Sequence, residues 1–135
     1  MKKIFGVFLL MGGVVGISFA QKIADAKVPA AVKTAFTKNH PGVKAKWEME
    51  KQNYEAEFIL KGIETSEVYV ASGSLVETEV SIKPSEFPAA VMAKLKGVKI
   101  SEGAKITKAD GTVQYEAEVK GKDLLFDAKG NPVKP

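Results

Sequence analysis

Between residues 28 and 82 the spacing of apolar positions changes period once. Val28, Ala31, Val32, Ala35 and Phe36 recur at intervals of three and four, which predicts an amphipathic helix. Pro29 suits its first turn, where a missing N–H costs nothing. Asn39-His40-Pro41-Gly42 ends it, because Pro41 disfavours helix at His40. The pattern then becomes strictly alternating. Ala45, Trp47 and Met49 alternate with lysine and glutamate. Tyr54, Ala56, Phe58 and Leu60 follow after a turn at Gln52-Asn53. Val68 and Val70 follow Lys61-Gly62, and Val76, Thr78, Val80 and Ile82 follow Ser72-Gly73. One helix and four strands joined by short glycine-bearing turns read as an antiparallel meander.

The second half repeats the first. Val28 to Val32 reads VPAAV and Phe87 to Val91 reads FPAAV, 59 residues later. Tyr54 to Phe58 reads YEAEF and Tyr115 to Val119 reads YEAEV, 61 residues later. Ser85 is the expected N-cap of a helix running to about Leu95. Strands are expected near Lys105–Ala109, Thr112–Val119 and Asp123–Ala128, with a short one near Pro132–Lys134. Gly97–Gly103 is the least regular stretch.

One helix on a few strands makes a thin core, and two copies in one sheet expose fewer strand edges. The expected fold class is therefore α+β. Two tandem helix-plus-meander repeats share a sheet, with both helices on one face. Trp47, Tyr54, Phe58, Val68, Val70, Tyr115, Val119, Leu124 and Phe126 are expected to face the helices.

Residues 1–20 read as a signal peptide. Lys2 and Lys3 precede an apolar stretch, and Ser18-Phe19-Ala20 offers small residues for cleavage after Ala20. The apolar stretch is short for a membrane span. A periplasmic or secreted protein follows, with repeats at 21–83 and 84–135 and no membrane span after leader removal. The chain holds no cysteine, which excludes disulfides and thiolate metal sites. Its net charge of +4 includes Lys2 and Lys3, and every basic residue is lysine. A mild charge without arginine's planar fork argues against nucleic-acid partners.

The order and spacing of these motifs resemble the PepSY-like family. The resemblance rests on the two PAAV helix starts, His40-Pro41-Gly42, the strand around Trp47 and the two Tyr-Glu-Ala-Glu strands. Glu67 to Val70, Leu75 to Val80 and Leu124 to Gly130 extend it over nearly all of the chain after the leader. These are small secreted proteins of Bacteroidetes-type bacteria, related in fold to the beta-lactamase inhibitor protein. The resemblance implies the tandem fold and no established activity. The inhibitor relative docks on an enzyme by a sheet surface, and PepSY domains at large are suspected of restraining proteases. Two departures stand out. Ala71-Ser72-Gly73 lacks the aspartate that the second copy has at Asp127, and the second copy lacks the His-Pro-Gly element.

His40 is the single histidine and has no partner set for a metal, so it reads as an exposed turn residue. No serine sits in a nucleophile elbow, so no catalytic residue and no cofactor is expected. Glutamates two apart on a strand share a face. Glu48 with Glu50, Glu55 with Glu57, Glu77 with Glu79 and Glu116 with Glu118 are expected to point away from the helices, beside Lys46. Tyr69 would join them as an exposed aromatic. This face reads as a solvated surface, as a docking surface for an envelope or secreted protein, or as a divalent-cation site. No loop shows a spaced acidic motif, so no metal ligand is assigned. The expected function is a non-enzymatic binding or inhibitor-like module. The alternative is a small-molecule or divalent-cation-binding envelope-stress protein.

Overall fold

The computed structural model describes residues 21–134, so the expected signal peptide lies outside the described residues. Eight strands form one antiparallel sheet whose order follows the chain. They are β1 (Gln21–Ile23), β2 (Lys46–Glu50), β3 (Asn53–Leu60), β4 (Ile63–Tyr69), β5 (Leu75–Ile82), β6 (Glu102–Lys108), β7 (Val113–Val119) and β8 (Lys122–Asp127). Two helices interrupt them, α1 (Ala30–Asn39) and the shorter α2 (Ala89–Lys94). The fold is α+β. Two compact units divide between Thr78 and Glu79, inside β5.

In the first unit α1 buries Val32 and Phe36 against Trp47, Ala56, Phe58 and Tyr69. Phe36 meets Trp47 and Phe58 edge-on, with ring centroids 5.5 and 5.1 Å apart. That is a favoured aromatic geometry. The helix closes where the His40 N–H donates to the Phe36 carbonyl at 2.8 Å. Pro41, next in the chain, cannot continue the pattern. The turn after β4 comes close to the start of α1. A Cβ on Gly73, whose φ is +92°, would stand 2.6 Å from the Ala31 carbonyl oxygen.

The second unit contains the same contacts in its own residues. Val91, Phe87 and Leu95 pack on Ala117 and Phe126. Gly130, with φ +80°, would set a Cβ 2.5 Å from the Ala90 carbonyl oxygen. The second alanine of each PAAV sequence is thus the point where a glycine turn meets a helix. A larger side chain on either glycine would collide with backbone, which cannot move aside cheaply.

Several expectations need correction. Val68 does not face α1. It lies across from Glu55, on the opposite face, and Tyr69 faces the helix in its place. Val70 lies half-buried just beyond the end of β4. The turn sets this register. Lys61 and Gly62 both have positive φ, 51° and 78°, as in a two-residue type I′ hairpin. Leu60 then pairs with Ile63, and Phe58, Ala56 and Tyr54 pair with Thr65, Glu67 and Tyr69. A shift of one residue exchanges the faces of a whole strand. Leu124 lies across from Ala117 but is 39% exposed. Ser85 does not cap the second helix: it lies in a 3-10 turn, Pro84–Glu86, whose Glu86 accepts from the Lys83 N–H at 2.6 Å, and α2 starts after Pro88 with no side-chain cap. β1 was not expected, and its Lys22 pairs with Glu48.

Candidate functional site

The registers of β1 to β4 collect a set of charged residues on the sheet face opposite α1. Trp47 and Ala56 form a pair on the helix side, so their neighbours lie on the other. Lys46 is across from Glu57, Glu48 from Glu55, and Glu57 also from Ser66. Glu55 sits in the middle of this set and is only 1% exposed, as is Ser66. Lys22 and Lys46 form an exposed rim, with Glu48 and Glu57 half-buried between. The expectation of an open, solvated face therefore fails at its centre. β3 has a strand on either side, so the side chain of Glu55 is walled in by its neighbours.

Glu48, Glu55 and Glu57 each place one carboxylate oxygen within 4.8 Å of the others. At that distance two like charges repel by about 3 kcal/mol at an effective dielectric constant near 20. Ion pairs elsewhere in this unit include Lys33–Asp25 at 2.7 Å and His40–Glu67 at 2.8 Å. The Glu55 carboxyl is pushed up to about 8, first by burial and then by the charges of Glu50, Glu57 and Glu48. The Ser66 hydroxyl is near enough to oppose that rise, although Ser66 Oγ and Glu55 Oε1 both close no hydrogen bond among the described residues. Glu57 rises to about 7 through burial and Glu48, with Lys46 and Lys22 acting against it. Burial and mutual repulsion both favour the protonated form.

Tyr69 does not belong to this face. It is fully buried on the helix side, where its hydroxyl donates to Glu67 Oε2. His40 Nε2 meets Glu67 Oε1 at 2.8 Å. The imidazole also lies over Phe58 and Phe36, with ring centroids 4.7 and 5.2 Å away. His40 is thus a largely buried partner of β4, not an exposed turn residue. Burial, and then the bond to Glu67, push the Tyr69 phenol well above its ordinary range. A buried carboxylate with a partner on each oxygen has the satisfaction that burial demands.

Glu77 and Glu79 lie two apart in β5 and are both buried. In the second unit Glu116 and Glu118 share the face opposite α2, since Tyr115 and Ala117, which alternate with them, belong to the helix side. Glu116 lies across from Ala104 and Leu125, and Glu118 from Glu102 and Asp123. Burial, followed by the charge of Glu118, raises the Asp123 carboxyl. Asp127 has a different task. Its carboxylate accepts from the N–H groups of Lys129 and Asn131 and from the Asn131 amide, all at 2.9–3.0 Å. The Asn131 bond leads in holding it below the usual carboxylate range. Sequence reasoning missed Ser66 and Lys22. Counting outward from Lys61-Gly62 places Ser66 across from Glu57, whereas nothing in the pattern marks β1.

No protein-family model matches the chain, and neither does any curated protein. Solved structures do. A "putative periplasmic" protein of Bacteroides eggerthii superposes with a TM-score of 0.72 at 21% identity, over 79% of this chain and 86% of the other. A DUF2874 family protein of Bacteroides uniformis gives 0.70 at 19% identity, over 78% and 86%. A BLIP-like protein of Bacteroides fragilis gives 0.63 at 19% identity, over 78% and 84%. At these identities the likeness is one of fold. The chain has the α+β fold shared by these proteins. No described helix is long and apolar enough to cross a membrane.

Proposed function

We propose that the chain is a periplasmic, non-enzymatic PepSY-like protein of two tandem repeats at 21–83 and 84–135, exported by cleavage after Ala20. It binds an envelope or secreted protein through the sheet face opposite α1. The BLIP-like and "putative periplasmic" fold neighbours support this reading, as does the leader pattern of residues 1–20. The observation that carries it is Ile59. This residue lies two positions beyond Glu57 on the same face, across from Glu64, and is 60% exposed. A bulky apolar side chain beside a charged rim of Lys46, Glu48 and Glu57 has the make-up of an interface anchor.

Quantitative capture from envelope extract with three immobilised forms tests it. Wild-type protein and a helix-face variant, Lys33→Glu, are expected to retain the same saturable protein partner. A sheet-face variant, Ile59→Asp with Lys46→Glu, is expected to lose it. Equal capture by all three, or no saturable partner at several salt concentrations, contradicts the proposal.

A further inference from the structure

We infer that Glu48, Glu55, Glu57 and Ser66 form a binding site for a hard divalent cation of calcium's size. The inference stands apart from the docking proposal, because it concerns the closed centre of the face and not its rim. All four residues come from adjacent strands β2, β3 and β4, so their spacing is set by ladder registers. Rigid strands hold ligands more accurately than loops do.

The donor set decides the chemistry. Three carboxylates and one hydroxyl are oxygen ligands only, which suits calcium or magnesium over metals that favour nitrogen or sulfur. Size then favours calcium. Two oxygens bound at 2.3–2.6 Å to one calcium can stand about 5 Å apart, whereas magnesium limits them to about 4 Å. The carboxylate oxygens lie within 4.8 Å of one another, inside the calcium span without rearrangement. Their number also fits, since three carboxylates supply three to six oxygens and water completes the shell.

A second feature points the same way. Glu55 and Ser66 are each 1% exposed, and Glu55 Oε1 and Ser66 Oγ close no hydrogen bond of good geometry among the described residues, although the Ser66 hydroxyl acts on the Glu55 carboxyl. Ser66 reaches the cluster from β4, directly across from Glu57. Buried oxygens without partners are costly and ask for a ligand. A divalent ion would satisfy both and offset the repulsion within the trio. Lys22 and Lys46 are close enough to act on Glu57, so the one negative charge left over lies beside two cations.

Calorimetric titration of the purified, chelator-stripped protein with calcium chloride tests the site, with magnesium chloride in parallel. One saturable site is expected, with a Kd on the order of 10⁻⁴–10⁻³ M as in extracellular calcium modules. Calcium should raise the melting temperature more than magnesium does. Glu55→Gln and Glu57→Gln are each expected to weaken binding roughly tenfold or more, as ligand charge is removed. Ser66→Ala should weaken it less, and Glu116→Gln in the second unit should leave it unchanged. No heat and no melting shift up to about 10 mM calcium would overturn the inference. So would wild-type affinity in Glu55→Gln and Glu57→Gln variants with native circular dichroism. Equal loss on Glu116→Gln would overturn the location.

Discussion

Trp47 and Gly103 hold the same place in the two units. Each lies across from the alanine of a Tyr-Glu-Ala-Glu strand, Trp47 from Ala56 and Gly103 from Ala117. The residue before each PAAV helix changes in the opposite sense, Val28 in one unit and Phe87 in the other. A Cβ on Gly103 would stand 2.7 Å from Phe87 Cζ, so the phenylalanine ring occupies the space beside the glycine. Large sheet residue with small helix-entry residue has become small with large. Phe87 refills part of the space that the missing strand side chain leaves, so part of the core volume moves from strand to helix.

The polar positions diverge by the same rule of register. Glu48, across from Glu55, corresponds to Ala104, across from Glu116. Ser66 corresponds to Asp123, Glu67 to Leu124 and Tyr69 to Phe126. The first unit thus carries a carboxylate trio on one face and a His40–Glu67–Tyr69 chain on the other. The second has apolar residues at the key place in each. Its helix is also shorter, six residues against ten. The scaffold tolerates either set, so the polar groups of the first unit answer to something other than the fold.

The packing exchange gives the largest test. Trp47→Gly should destabilise the protein by about 3–5 kcal/mol in urea unfolding. Adding Val28→Phe should recover at least about 1 kcal/mol, as coupled neighbours do. Strict additivity of the two changes would break the comparison.

The carboxylate trio gives the next. Glu55 has a folded-state value of about 8 against about 4.3 in an unfolded chain. Its proton is kept on folding between those values. The associated stability is complete below about pH 4 and is lost as pH rises through about 8. In chelator, Glu55→Gln is therefore expected to stabilise the protein by on the order of 2 kcal/mol at pH 9 and to change little at pH 5. An equal effect at both pH values would show that the site is not buried among like charges.

Much of the fold was legible. The two PAAV starts and two Tyr-Glu-Ala-Glu strands marked both helices and the central strands, because period 3.6 and period 2 are strong signals there. In β4 the apolar Val68 and Val70 point the pattern to the wrong face, and the turn decides instead. Lys61-Gly62 already fixes Leu60 across from Ile63, and from there every face follows. The buried chain of His40, Glu67 and Tyr69 was hidden by the same error, since Glu67 inside a core makes sense only with His40 beside it. The trio was half legible. Glu55 and Glu57 were placed together, but the partners that close the cluster, Glu48 across β2 and Ser66 across β4, depend on registers between strands.

His40→Ala should cost about 1–3 kcal/mol, because it leaves one oxygen of the buried Glu67 carboxylate unpaired. The double variant Glu67→Leu with Tyr69→Phe restores the second unit's residues at those places. It should make His40→Ala nearly neutral, and an undiminished cost would contradict the pairing. The smallest effect is expected at Asp127. Its exposed carboxylate organises one turn, and Asp127→Ala should lower the melting temperature slightly without altering the first unit's behaviour.

The claim that the two units differ in what they hold is tested most directly by amide NMR during calcium titration. Saturable shifts are expected at Glu48, Glu55, Glu57 and Ser66, with Ala104, Glu116, Glu118 and Asp123 unmoved. Shifts of equal size in both sets, or none in either, would contradict the account.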